Sequence, residues 1–158
     1  MSTTRYRFRT RWWLPADQRT VFAALTDLAD YPRWWPDVRS VRHLDEDAAD
    51  VRVRSTLPFT LALVLRRREQ DERTGRLVVR IGGDLCGVLR AEVAPDGLGT
   101  RVDFDQEVEV ASRLLRVLSP WLRPALRLNH AAMTRRGRRG LARRLAGDRS
   151  GHPRDACR

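Results

Sequence analysis

The sequence predicts an α+β fold in which a curved antiparallel sheet of about seven strands wraps a long C-terminal helix, in the order β-α-α-β6-α. Three observations predict it. Segments of period-two hydrophobic alternation follow one another from Val38 to Val110, separated only by tight turns. From about Arg113 to Leu145 the period changes to that of a helix. A sheet with one apolar face needs a partner, and that final helix is the one large apolar element on offer.

The first strand is read over Arg5 to Leu14, with Tyr6, Phe8, Thr10 and Trp12 on one face and arginines at 5, 7, 9 and 11 on the other. Pro15 ends it, because proline cannot donate to a ladder. Asp17 fits an N-cap ahead of a helix with Val21, Phe22 and Leu25 on one face, broken at Thr26 and Asp27. A second short helix over Leu28 to Tyr31 is expected to stop at Pro32.

The next strand runs from Val38 to Leu44, with an acidic turn at Asp45 to Asp50. Val51, Val53, Ser55 and Leu57 then alternate with polar neighbours, and after Pro58 so do Phe59, Leu61, Leu63 and Leu65. A turn at Thr74-Gly75 leads to Leu77, Val79 and Ile81 on one face. Gly82-Gly83-Asp84 reverses the chain into Leu85, Gly87, Leu89, Ala91 and Val93. Pro95-Asp96-Gly97 is a hairpin turn. The last strand places Val102, Phe104, Gln106, Val108 and Val110 inward, with Asp103, Asp105, Glu107 and Glu109 outward. In the final helix Leu118, Leu122, Ala125, Asn129, Ala132 or Met133, and Leu141 recur at three- and four-residue steps. Ser119-Pro120 is read as the start of its main part and Pro124 as a kink.

A curved sheet gripping a helix leaves space lined by inward-facing apolar side chains. The candidate ligand-contacting residues are therefore Trp35, Phe59, Leu61, Leu63, Val79, Ile81, Leu89, Phe104, Gln106, Val108, Leu122, Asn129 and Met133.

The bulk numbers bound the function. The 158 residues suit one domain, read over 1–147, and the composition of 148–158 is that of a disordered basic tail. No run of about 18 apolar residues is available for a membrane span, and Met1 to Arg11 lacks an apolar signal core, so a cytoplasmic protein is expected. Cys86 and Cys157 make no disulfide framework, and no Cys/His spacing suggests a metal. Cys86 points away from the cup by alternation. The net charge is +11, and all 31 basic residues are arginine. That uniformity reads as codon bias more than phosphate recognition, and the stacking aromatics of nucleic-acid binders are not evident.

The segment LPADQRTVFAALTDLADYPRWWPDV, with Trp34-Trp35-Pro36 after a helix pair, resembles the START-like or SRPBCC superfamily in its polyketide cyclase/dehydrase-like branch. The stretches GGDLCGVLRAEVAPDGLGTRVDFDQEVEV, LSPWLRPALRLNHAAM and RRGRRGLARRLAG are similar to the same branch, so the resemblance covers roughly residues 5 to 147. It implies a helix-grip fold with a deep hydrophobic cavity, binding lipids, sterols, quinones, polyketides or plant hormones, with cyclisation or dehydration in a minority of members. No cofactor is expected.

Several residues carry two readings. Trp34 and Trp35 either gate the cavity mouth or staple the helix pair to the sheet. Gln106, a lone amide on an apolar face, needs partners that a ligand, a cavity water or a neighbouring element would supply. Asn129 and His130 are about 100° apart on a helix, and Asn129 is the better pocket candidate. His130 is the weak catalytic candidate, a structural histidine otherwise, and His43 and His152 are weaker still. The outward acids are explained by cross-strand pairing with arginines. The run Arg135, Arg136, Arg138, Arg139, Arg143 and Arg144 either complements the helix macrodipole as a solvated face or docks anionic lipid. The leading expectation is a binder or carrier of a hydrophobic small molecule. A cyclase/aromatase- or dehydrase-like enzyme using His130, Tyr31 or a water on Gln106 is the alternative, and a protein-interaction module a third.

Overall fold

The computed structural model describes residues 5–54 and 56–150, and at 114, 115, 118, 119, 122, 149 and 150 it describes the backbone only. β1 (Arg5–Leu14) leads to α1 (Gln18–Thr26), a 3-10 turn (Leu28–Asp30) and α2 (Tyr31–Trp34). Six strands follow: β2 (Val38–His43), β3 (Ala48–Val53), β4 (Leu61–Asp71), β5 (Arg76–Gly83), β6 (Leu85–Asp96) and β7 (Gly99–Val110). α3 (Arg113–Ser150) closes the chain. The seven strands form one antiparallel sheet in the order β1-β7-β6-β5-β4-β3-β2, so the helix-grip architecture is present with β1 and β2 as its edges.

The α1–α2 crossover carries the chain from one sheet edge to the other. Asp17 caps α1, accepting from the Thr20 amide at 3.1 Å, and Val21, Phe22 and Leu25 are buried. Register breaks at Val38/Ser40 and Arg67/Glu69 mark bulges, which bend strands and raise their twist. On the convex face Arg5 meets Glu109, Arg7 meets Asp105 and Glu107, and Arg11 meets Asp103, so the outward acids are paired across strands.

Four boundaries differ from the sequence reading. Pro32 does not stop a helix; it occupies the first turn of α2, where a missing N–H costs nothing. The acidic turn is shorter than expected, because Asp47 closes it by donating its amide to the Asp45 carboxylate and β3 starts at Ala48. β3 ends at Val53 and β4 starts at Leu61, so Leu57 and Phe59 sit in the connection rather than in strands, while Ser55 lies outside the described residues. α3 begins at Arg113, upstream of Ser119-Pro120, and runs through both prolines to Ser150. Its end includes Asp148, which accepts from Arg144 at 2.6 Å one turn earlier. Residues 151–158, with His152 and Cys157, are outside the description. Among the described residues no helix is long and apolar enough to cross a membrane.

The largest core cluster sits where α1, α2 and the C-terminal half of α3 meet the sheet, around Trp12, Leu14, Phe22, Trp34, Val102, Leu141 and Leu145. The outer face of the N-terminal half of α3 is bare, with Val117, Trp121 and Leu128 exposed. One half of the helix is therefore bolted down and the other roofs the cup.

Candidate functional site

Between the concave face and α3 lies a cavity of about 330 Å³. Twelve of the thirteen sequence candidates line it: Trp35, Phe59, Leu61, Leu63, Val79, Ile81, Leu89, Phe104, Gln106, Val108, Asn129 and Met133. The side chain of the thirteenth, Leu122, is outside the description, as is that of Leu118. Strand alternation explains why the sheet contributors point inward. Phe59 and Leu57 reach the cavity from the β3–β4 connection instead.

The helix keeps most of the expected stripe, with Asn129 and Met133 on the cavity and Leu141 buried, but it differs at one position. Leu126, His130, Met133 and Gly137 follow one another at three- and four-residue steps on the face turned to the sheet, so Leu126 lines the cavity where Ala125 was expected to. Gly137 lets the helix lie against Trp35. A side chain there would stand 2.7 Å from the Trp35 indole, so only glycine admits that ring against the helix. The Trp35 Nε1–H donates to the Met133 carbonyl at 3.1 Å. Trp35 thus both lines the cavity and fixes the helix, whereas Trp34, 5% exposed, does not line it and staples α2 into the core.

Asn129 and His130 both reach the cavity, so their angular separation did not force a choice. His130 stacks on Phe8 with centroids 3.8 Å apart, and its Nε2 lies 3.3 Å from Gln106 Oε1. Gln106 therefore has a protein partner, and His130 an amide rather than a carboxylate. The Asn129 amide points at Met133 Sδ, 3.7 Å away. Tyr31 donates its hydroxyl to the Leu25 carbonyl at 2.6 Å, and burial pushes its pKa well above the usual phenol range. It cannot serve as a ready acid or base. Of the three charged lining residues, Asp47 and Arg67 pair with each other at 2.9 Å on the exposed rim, where Glu46 and His43 also sit. Among the described residues no cluster of His, Cys, Asp or Glu is placed to hold a metal ion.

Burial brings the His130 pKa from 6.5 down to about 4. The folded ring stays neutral until about pH 4, while the unfolded chain takes up the proton near pH 6.5. The folded state therefore binds fewer protons in that window, and stability falls as pH drops through it. His130→Phe keeps an aromatic stack and removes the titration. The stability of the native protein minus that of His130→Phe, from urea unfolding, should fall by about 2 kcal/mol between pH 7 and pH 4.5. A difference that does not change with pH would show that the ring is not buried in this way.

The arginine run is not one solvated face. Arg136 makes a two-pronged pair with the Asp37 carboxylate at 2.9 and 2.7 Å, and Arg144 donates to Asp30 at 3.0 Å. Arg139 and Arg143 are exposed. Arg135 and Arg138 join Arg127 of α3 and Arg7, Arg9 and Arg11 of β1 around a second, open groove between the helix and the sheet edge. Sequence proximity could not have shown this groove, since its two walls are more than 100 residues apart.

A family model described as polyketide cyclase / dehydrase and lipid transport matches residues 14–133. Among solved structures, TTHA0849 from Thermus thermophilus superposes with a TM-score of 0.79 at 16% identity, covering 90% of this chain and 99% of that one. The Zhui aromatase/cyclase from Streptomyces sp. R1128 gives 0.72 at 11% identity over 97% and 99%. A START superfamily protein from Mycobacterium smegmatis gives 0.69 at 15% over 89% and 97%. At these identities the likeness is one of fold. No curated protein matches the chain in sequence.

Proposed function

The chain belongs to the family described as polyketide cyclase / dehydrase and lipid transport, and from that premise we propose that it holds an apolar small molecule in its cup without transforming it. The observation that carries this reading is the state of the polar groups facing the cavity. Tyr31 is bonded to a backbone carbonyl, Gln106 and His130 to each other, and Thr26 and Thr134 to the carbonyls of Ala23 and Ala131, while the charged Glu46, Asp47 and Arg67 lie on the exposed rim. Acid–base catalysis needs a group aimed at the substrate with a pKa near working pH. Here the one buried imidazole described is held neutral, with a pKa of about 4. The rest of the wall is mostly hydrocarbon, which supplies burial and shape selection.

The neutral probe N-phenyl-1-naphthylamine should bind with a blue-shifted emission, and Leu89→Trp, which fills the cavity from β6, should weaken it at least tenfold. Absence of probe binding, together with nothing extractable from protein purified from its own host, would sink the reading. A cyclase- or dehydrase-like reaction is the second reading, favoured by the placement of the His130–Gln106 pair inside the cavity. It requires turnover of a polyketide-like substrate that His130→Ala abolishes.

A further inference from the structure

The arginine groove adjoins the cavity: Phe8, Thr10, Trp12, His130 and Thr134 line both spaces. The Phe8–His130 stack thus stands where the two spaces meet, with hydrocarbon on one side and guanidinium groups on the other. Arg7 and Arg11 are neutralised by Asp105 and Asp103, but Arg9, Arg127, Arg135 and Arg138 are exposed and form no ion pair among the described residues. Arg9 feels the Asp105 carboxylate across the ladder, but Arg127, Arg135 and Arg138 crowd the helix side of the cleft and repel each other, and an anion that entered would relieve this. β1 is also an edge strand, so its outer side presents backbone groups that no ladder uses.

We propose that the ligand of this cup is an apolar molecule bearing one anionic end group, its hydrocarbon part in the cavity and its carboxylate or phosphate among Arg9, Arg127, Arg135 and Arg138. This deepens the carrier reading and rests on it. Guanidinium forks match both oxyanions in a two-pronged geometry, so the groove selects for charge at one end of the molecule. The apolar wall selects for the remainder. Neutral sterols or quinones would leave the groove unused.

The test compares dodecanoate, dodecyl phosphate and dodecanol by isothermal titration calorimetry. Both anions should bind at least tenfold tighter than the alcohol at low salt, with the advantage shrinking at high salt. Preference for one anion over the other identifies the end group. Arg9→Gln/Arg135→Gln should erase the advantage while leaving dodecanol binding unchanged. Arg139→Gln/Arg143→Gln, which removes equal charge from α3 outside the groove, should keep it. Equal binding of all three molecules, or an advantage that survives in Arg9→Gln/Arg135→Gln, overturns the proposal but leaves the carrier reading standing. Binding of none overturns both.

Discussion

Gly140→Ala should destabilise the protein by about 2 kcal/mol or more, although in an unconstrained helix the same exchange stabilises by about 1 kcal/mol. A methyl at this position would fall 1.6 Å from the Trp34 carbonyl oxygen and 2.8 Å from its carbon. Both obstacles are backbone, which cannot swing aside as a side-chain tip can. The helix would have to retreat from α2, and Leu141 and Leu145, both buried in the main core, would retreat with it. Gly147 is the control, since it lies on the same helix with open space around it, and Gly147→Ala should hold or gain stability. Urea midpoints of the two variants should move in opposite directions. Equal shifts would mean that α3 does not depend on this contact.

The consequence reaches the cavity. Gly137 and Gly140 are one turn apart and let α3 lie against the Trp34-Trp35 pair, and that contact sets which helix residues face the sheet. The helical period was legible in the sequence and so was most of its phase, since Asn129, Met133 and Leu141 face inward and only Ala125 gives way to Leu126. The decisive signal was an absence of side chain at 137 and 140 rather than the presence of one. The strands were easier to read because arginine or acid alternates with apolar residues, and the convex ladder of Arg5, Arg7 and Arg11 on Asp103, Asp105 and Glu109 follows from it directly.

Pairings between distant segments were the illegible part of the site. Asn129 and His130 looked like competitors for one direction because only their neighbours in sequence were visible. The partner of His130 is Gln106 on β7, and its stacking ring is Phe8 on β1. The acid-free arginine run looked uniformly solvated for the same reason. Its acids lie about 100 residues earlier, at Asp30 and Asp37, just before and after α2.

That distance gives the Asp37–Arg136 pair its consequence. Asp37 is 3% exposed, its carbonyl accepts from the Arg54 amide, and its carboxylate receives both prongs of the Arg136 fork. The pair ties α3 to the α2–β2 junction one turn before Gly140. Asp37→Ala should cost about 2 to 3 kcal/mol, near the lower end for a broken buried pair, because the half-exposed Arg136 regains some water. Removing the cation too, in Asp37→Ala/Arg136→Met, should recover part of the loss, since the methionine leaves no charge to strand. The four-variant cycle, read by urea unfolding, then reports the coupling between the two sites. Strict additivity would mean that the fork is incidental. If the coupling is found, Asp37→Ala should also speed release of N-phenyl-1-naphthylamine, because the helix that roofs the cavity has lost its ionic anchor beside the cavity-lining Trp35.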